Sequence, residues 1–393
     1  MTTYRQSLGF SVGVFKPSIT SSGYTPNGEF LFSLSEDVSF ERLETQAIGG
    51  YYAAEFSFPA GDADIENWVA DGLGRHMEIY DNSMDTIWEG FVDEIKIQIG
   101  SLEYSIGPMS ELCNRSSVVY RDVDYGETPP VLGDTMTSIL HDNETSQGQY
   151  GIWERILTGG ELTLTEAEEL AELYLNENCW PGRSHMLGSS SSERKITLVC
   201  SGYFRFLEGY ICEMIAIGGI GAASEKLIDI IDLDPNGLFS SDNADIEENL
   251  TPVGFYEDDY QDAWTLIKTI LELGSGTDLR CTFGVYNGRR IVYGSIPTEF
   301  SYEKRLYDDT GNVYDMVGNI VVPYRVLPAR WLFLSDWLIA TSAGEPTKED
   351  PRATFIESVT FSPPDSLELI GERVHTLAQR MAKINMTRSI EFG

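Results

Sequence analysis

The residues best spaced for chemistry lie in the middle of the chain. Asp232, Asp234, Asn236 and Gly237 match positions one, three, five and six of a calcium-binding helix–loop–helix segment. That pattern places oxygen ligands at alternate positions and a glycine at the sharp turn. Position twelve should be a bidentate glutamate and is Asn243, while Pro235 stiffens the loop. The plainer reading is an acidic turn after a helix, and any calcium affinity should be weak. Upstream, Gly219-Ile220-Gly221-Ala222-Ala223-Ser224 has the outline of a dinucleotide loop, with serine in the third glycine place. Such a loop works only inside alternating β and α units. Its flanks here are β meander and acidic loop, so a close-packed turn is expected.

The four histidines, His76, His141, His185 and His375, stand far apart, and none is set in HExxH or HxH. No GxSxG elbow is present to raise a nucleophilic serine. With 62 acids, carboxylate pairs can be drawn anywhere and point nowhere. The seven tryptophans are spread out, as core or interface anchors are. The five cysteines are odd in number and contain no CxxC pair, so reduced thiols are expected, with neither a disulfide framework nor a zinc knuckle. The reading is therefore a chain with no catalytic residue, no metal ligand, no cofactor and no enzymatic activity.

The elements that would carry these residues are mostly strands. Ala54, Phe56 and Phe58 alternate with Glu55 and Ser57, the period of a half-buried strand. Arg75–Tyr80 and Thr86–Ile99 flank Asp81-Asn82-Ser83, which is turn chemistry, so a hairpin is predicted. Gly100-Ser101 makes the next turn before a strand at Leu102–Ile106. Thr165 and Glu168 form a capping box that predicts a helix over 166–176, with Leu170, Leu173 and Tyr174 on its apolar face. Trp264, Ile267, Ile270 and Leu271 predict a second helix, ending at Gly274. Asn287-Gly288 between two β runs predicts another hairpin. Val374, Leu377, Ala378 and Met381 suit a short C-terminal helix.

These elements divide the chain into an N-terminal β-barrel module (1–125), a helix-containing insertion (126–195), an acidic α/β region (196–279) and a second β-barrel module with the C-terminal helix (280–393). The insertion opens on a Pro-Pro linker and closes on a serine-rich loop, Ser189–Ser192, where protease should cut first. The expected fold class is α+β, mainly β, with two small antiparallel barrels. A loose internal echo supports the pairing of modules. Residues 73–106 and 330–370 share the order strand, turn, long strand, turn, strand, and Trp88-Glu89-Gly90-Phe91-Val92 stands beside Phe355-Ile356-Glu357-Ser358-Val359.

In 393 residues, 27 bases against 62 acids give a net charge of −35. Such a surface repels phosphate, which argues against binding duplex DNA or anionic membranes. Twelve acids and one base, Lys226, fall between 225 and 262, a density unsuited to a dry interface. The longest apolar run, Met214 to Ala223, has ten residues where a membrane span needs about 20. The start of the chain lacks the pattern of a secretion signal.

Three segments carry a family resemblance. The first is Ile87-Trp88-Glu89-Gly90-Phe91-Val92 followed by Met109 through Tyr120. The second is Ser146 through Glu154, and the third runs from Gly284-Val285-Tyr286 through Arg289, Arg290 and Tyr293 to Val321-Val322-Pro323-Tyr324-Arg325-Val326-Leu327-Pro328. Together they resemble minor tail or tail-tip proteins of long-tailed bacteriophages, which are similar in turn to the baseplate hub proteins of contractile tails. Ala329 stands where family members often have glycine. The resemblance implies a virion structural protein made in the host cytoplasm, with two β-barrels per chain. It implies self-association into a ring around an axial channel, as a trimer with a hexamer as the alternative, in contact with tail tube, distal tail and fibre proteins. A carbohydrate-active or calcium-dependent carbohydrate-binding β protein is the rival reading. It would need an aromatic-lined cleft with opposed carboxylates.

Overall fold

The computed structural model describes residues 10–20, 23–34, 38–81, 83–126, 130–188, 194–212, 217–255, 260–275, 280–296, 300–305, 313–315, 320–321, 327–335, 353–362 and 366–372. The expected C-terminal helix, His375, the loop Ser189–Ser192 and Pro363-Pro364 lie outside them.

β1 (Ser11–Thr20) and β2 (Gly23–Leu34) form a long hairpin, and β3 (Ser39–Gln46) and β4 (Ile48–Pro59) form a second. After α1 (Asp62–Asp71) come β5 (His76–Tyr80), β6 (Thr86–Ile99) and β7 (Leu102–Ile106), an antiparallel meander. The turn between β5 and β6 is the one the sequence predicts. The Asp81 carboxylate accepts the N–H groups of Ser83 and Asp85 at 2.8 and 3.1 Å.

A second sheet follows: β8 (Arg115–Asp124), β9 (Val131–Thr137), β10 (His141–Asp142) and, after α2 (Glu144–Tyr150), β11 (Glu154–Leu162). β8 is its centre, antiparallel to β9 and β10 and parallel to β11. α3 (Leu164–Asn178) packs on β8. Its capping box is Thr163 with Glu166, two residues before the expected one. The apolar stripe shifts accordingly to Ala167, Ala171 and Leu175, while Leu173 is exposed. Two alanines let the helix lie close to β8, where the Ser116 hydroxyl donates to the Ala171 carbonyl at 2.8 Å.

β12 (Arg183–Leu187) pairs with β7, and β13 (Arg194–Ser201) lies between β4 and β6. Short strands follow: β14 (Ile211–Cys212), β15 (Gly219–Ala222), β16 (Ala244–Ile246), β17 (Pro252–Phe255) and β18 (Gln261–Asp262), with α4 (Ala223–Asp232) after β15. Asp262 caps α5 (Ala263–Leu273), whose buried face is the predicted stripe of Trp264, Ile267, Ile270 and Leu271. β19 (Cys281–Tyr286) and β20 (Arg290–Ser295) form the Asn-Gly hairpin, with Gly288 at φ +70°. The remaining strands are β21 (Phe300–Arg305), β22 (Val313–Asp315), β23 (Ile320–Val321), β24 (Arg330–Ser335), β25 (Ala353–Ser362) and β26 (Ser366–Glu372).

The expected pair of barrels is not there. The fold is mixed α+β with two main sheets, and neither closes. Among the described residues, starting from any strand of the larger, 18-stranded sheet, the ladder pairings branch but never lead back to it. A barrel requires such a return. The reason lies in long-range pairing. β4 takes β3 on one edge, and β13 and β19 in succession along the other. β3 in turn takes β25. Strands assigned to separate modules are thus laid into one sheet. The echoed segments are both antiparallel meanders, β5–β6–β7 and β24–β25–β26, but neither rolls up on itself. A single apolar cluster follows the large sheet from Phe10 to Phe361 and includes Trp68, Trp88, Trp153 and Trp264. A small satellite of Val118, Tyr120, Ala167 and Ala171 lies under α3.

Candidate functional site

A buried polar cluster sits where the β5–β6 hairpin meets the β19–β20 hairpin. The register set by the Asp81 turn puts Glu78 directly opposite Glu89. Two carboxylates facing each other across a ladder repel, so each needs its own compensation. Glu78 accepts from His76 Nε2 at 2.8 Å and from the Tyr80 hydroxyl. Burial pushes the Glu78 carboxyl up, but those hydrogen bonds together with the charges of His76 and Arg289 outweigh it and hold the group below the ordinary glutamate value. Glu89, only 2% exposed, accepts the Gly288 N–H at 2.5 Å and pairs with Arg289 at 3.3 Å. There burial wins, and the carboxyl is raised despite His76, Gly288 and Arg289. His76 is fully buried, and its Nδ1 lies 2.7 Å from the Tyr203 hydroxyl.

Opposed environments on paired carboxylates are how acid–base sites are built. Here, however, Glu89 is spent on joining the two hairpins, and Glu78 is held within β5 by His76 and Tyr80. Sequence reasoning passed over this pair, although the predicted turn fixes the register that brings the two glutamates together.

A second buried hub is Asn114, within the first resembling segment. Its Oδ1 accepts the Trp153 N–H at 2.8 Å, and its Nδ2 donates to the Gly151 carbonyl at 2.7 Å.

The calcium-like loop uses its oxygens internally. Asp232 accepts from the N–H and hydroxyl of Ser241 at 3.0 and 2.9 Å. Asp234 accepts the N–H groups of Asn236, Leu238 and Phe239 at 2.9, 2.6 and 3.1 Å. Asn236 clamps the Ile152 peptide on both sides, and Asn243 donates to the Gly288 carbonyl at 2.9 Å. Among the described residues no group of three or more His, Cys, Asp or Glu is gathered as for a metal.

Burial pushes the Asp234 carboxyl up to about 6 even against three N–H donors. Its unfolded value is about 3.9, so the folded chain holds the extra proton between the two. Stability should therefore fall as pH rises from about 4 to about 6, by at most about 3 kcal/mol from this group. Urea unfolding across that range should show a steeper fall in the wild type than in Asp234→Asn; equal slopes would exclude a contribution from Asp234.

The glycine-rich loop is β15, antiparallel to β17, running into α4. The Ala222 N–H is capped by Glu225 at 3.3 Å. An acid therefore occupies the place a phosphate would take. Lys226 is buried and donates to the carbonyls of Ile217 and Gly218 at 2.7 and 3.0 Å. Of the acids in this stretch, Glu225, Asp229, Asp232, Asp242, Asp245, Glu247 and Glu248 are exposed. His185 lies against Tyr104, with ring centroids 4.9 Å apart, and His141 sits in β10, so the described histidines are not brought together.

Two adjoining cavities of about 480 and 600 Å³ share Ile156, Ile211 and Tyr260 as walls. Tyr260 is held by Thr137, whose hydroxyl donates to it at 3.0 Å. The carboxylates along this groove are engaged. Glu154 accepts the Ile211 N–H, Asp262 caps α5 through Thr265, and Glu208 is held by Arg205. The groove offers one exposed aromatic side chain and no carboxylate pair free for glycosidic chemistry.

No family model matches the chain, and no curated protein matches it. Among solved structures it is similar to the 43 kDa tail protein of prophage MuSo2 from Shewanella oneidensis. Identity is 8% over 94% of this chain and 98% of that one, with a TM-score of 0.37, too low to carry a function from one to the other. No helix among the described residues is long and apolar enough to cross a membrane.

Proposed function

We propose that this chain is a non-enzymatic structural component of a bacteriophage tail tip or baseplate hub. In this reading it assembles as a ring around an axial channel, with three copies expected and six as the rival. Tail tube, distal tail and fibre proteins are its neighbours, and its final location is the virion. The observation that carries the reading is the ordered resemblance of three separate segments along the chain. Of their bulky members, Trp88, Phe91, Tyr150, Trp153 and Tyr293 fall in the same apolar cluster, and Tyr120 in the satellite beneath α3. The resemblance therefore concerns what holds the fold together, as suits a protein whose role is shape. The charge supports it too: a −35 chain with its central acids at the surface can line a channel through which DNA passes without sticking.

Imaging of assembled tails tests the proposal. Three copies around the axis are expected. Six would make the chain a tube adaptor, and absence from the axis would remove the reading.

A further inference from the structure

The face of the second sheet opposite α3 holds a buried hydroxyl with nothing to bond. β8 turns Ser116, Val118 and Tyr120 toward α3, so Arg115, Ser117 and Val119 look the other way, into the two adjoining cavities walled by Ile156, Ile211 and Tyr260. Ser117 is 1% exposed, and its Oγ has no hydrogen-bond partner among the described residues. A nearby hydroxyl shows the contrast. Ser138 Oγ accepts the Val118 N–H at 2.9 Å and donates to the Ile139 carbonyl at 3.1 Å. Burying a hydroxyl unsatisfied costs free energy, which a hydrogen bond from a ligand in the cavity offsets.

Three features set the chemistry of the occupant. The first is charge. The walls carry three bases, Arg115, Arg155 and Lys268, and three acids, Glu154, Glu208 and Asp262. Asp142 and Arg205, the partners of Arg115 and Glu208, cancel as well. In a chain of net charge −35, a balanced groove suits a neutral ligand. The second is hydrogen bonding. Beyond those charges the walls offer the hydroxyls of Ser117, Thr158 and Tyr260 and the amide of Gln261. Thr137 fills one lone pair of the Tyr260 oxygen and leaves its proton to donate. Groups that both give and accept match a ligand whose own hydroxyls do the same. The third is the Tyr260 ring, 39% exposed, shared by both cavities and held in place by Thr137. Such a ring offers an apolar face for C–H groups beside a polar tip.

We propose that this groove binds a neutral saccharide. One sugar ring lays its C–H face on Tyr260 and reaches Ser117 with a hydroxyl, and the next unit lies in the second cavity against Thr158 and Gln261. The cavities, about 480 and 600 Å³, are of the size that small-ligand sites have. Binding is not coupled to hydrolysis. Glu154 holds the Ile211 N–H, Asp262 caps α5 and Glu208 is bound by Arg205, so each carboxylate lining the groove is already engaged. The inference adds a ligand to the structural role proposed above and does not depend on the number of copies in the ring.

The test screens the full chain against an array of neutral and acidic glycans. The neutral oligosaccharide retained best is then titrated by calorimetry into the wild type, Ser117→Ala and Tyr260→Ala. Neutral glycans are expected to be retained, with affinity falling roughly tenfold in Tyr260→Ala and roughly three- to tenfold in Ser117→Ala. The melting temperature of free Ser117→Ala should stay level or rise, because alanine removes a buried hydroxyl that has no partner. Lost binding with an intact fold therefore assigns that hydroxyl to the ligand. Retention of acidic glycans alone would overturn the neutral ligand. Neutral glycans bound equally by all three chains would overturn this groove as the site. A chain that retains no glycan overturns the proposal and leaves the structural role standing.

Discussion

Glu89→Ala is expected to lower the unfolding free energy by about 3–5 kcal/mol, the usual cost of removing one partner from a buried charge pair. The carboxylate is the acceptor for the Gly288 N–H and the partner of Arg289, and alanine strands both at the junction of two hairpins. Some relief comes from losing the repulsion with Glu78 across the ladder, which places the result toward the lower end. Glu89→Gln keeps an acceptor for Gly288 and should cost only about 1 kcal/mol. The two glutamates also predict opposite pH behaviour. The Glu89 carboxyl is raised by burial, so its contribution is fully present below the ordinary glutamate value and is lost as pH rises through its folded value. The Glu78 carboxyl is lowered by its hydrogen bonds, so its contribution is present above the ordinary value and is lost as pH falls through its folded value. With rising pH the wild type should therefore lose ground to Glu89→Gln and gain ground on Glu78→Gln. Urea unfolding of the three chains at several pH values measures this. A Glu89→Ala chain within about 1 kcal/mol of wild type would show that the junction is not held this way.

Gly50→Ala should be nearly as costly, at about 2–4 kcal/mol, combining backbone strain with overpacking. Gly50 has φ +77°, and a Cβ there would lie 2.4 Å from both the N and the O of Val285. Those atoms belong to the three-residue parallel ladder in which Ile48–Gly50 meets Phe283–Val285. Among the described residues that ladder is one of two strand pairings between the β3–β4 hairpin and the C-terminal strands, the other being β3 with β25. Hydrogen exchange should speed up in β19 before it does in β6. Unchanged stability together with unchanged exchange in β19 would mean that the backbone yields at no cost.

Local chemistry was legible where a few residues decide the outcome. The Asp81 turn, the Asn287-Gly288 hairpin and the Trp264 helix each follow from side chains within a dozen residues. The α3 cap shows the limit of such reasoning. Two overlapping Thr-x-x-Glu frames were available, and the choice between them was made by the alanines that fit against β8. The sheet was not legible, because nothing within β4 says that it will meet β13 and then β19. Both encounters are decided by burial in the shared apolar cluster. The same holds for the polar junction. Glu78 and Glu89 are surface-type residues in the sequence, and only the approach of Gly288 and Arg289, some 200 positions away, encloses them.

The pairing of Leu43 with Phe361 sets a clock for biosynthesis. At roughly 5–20 residues per second, the ribosome takes about 16–64 s to travel from one to the other. Throughout that interval the outer edge of β3 has no partner, since its cover, β25, does not yet exist. A chain released early keeps that edge bare, whatever else has folded. Synthesis of β25 is thus the event that covers β3, and a copy cut short before it keeps that strand edge unpaired.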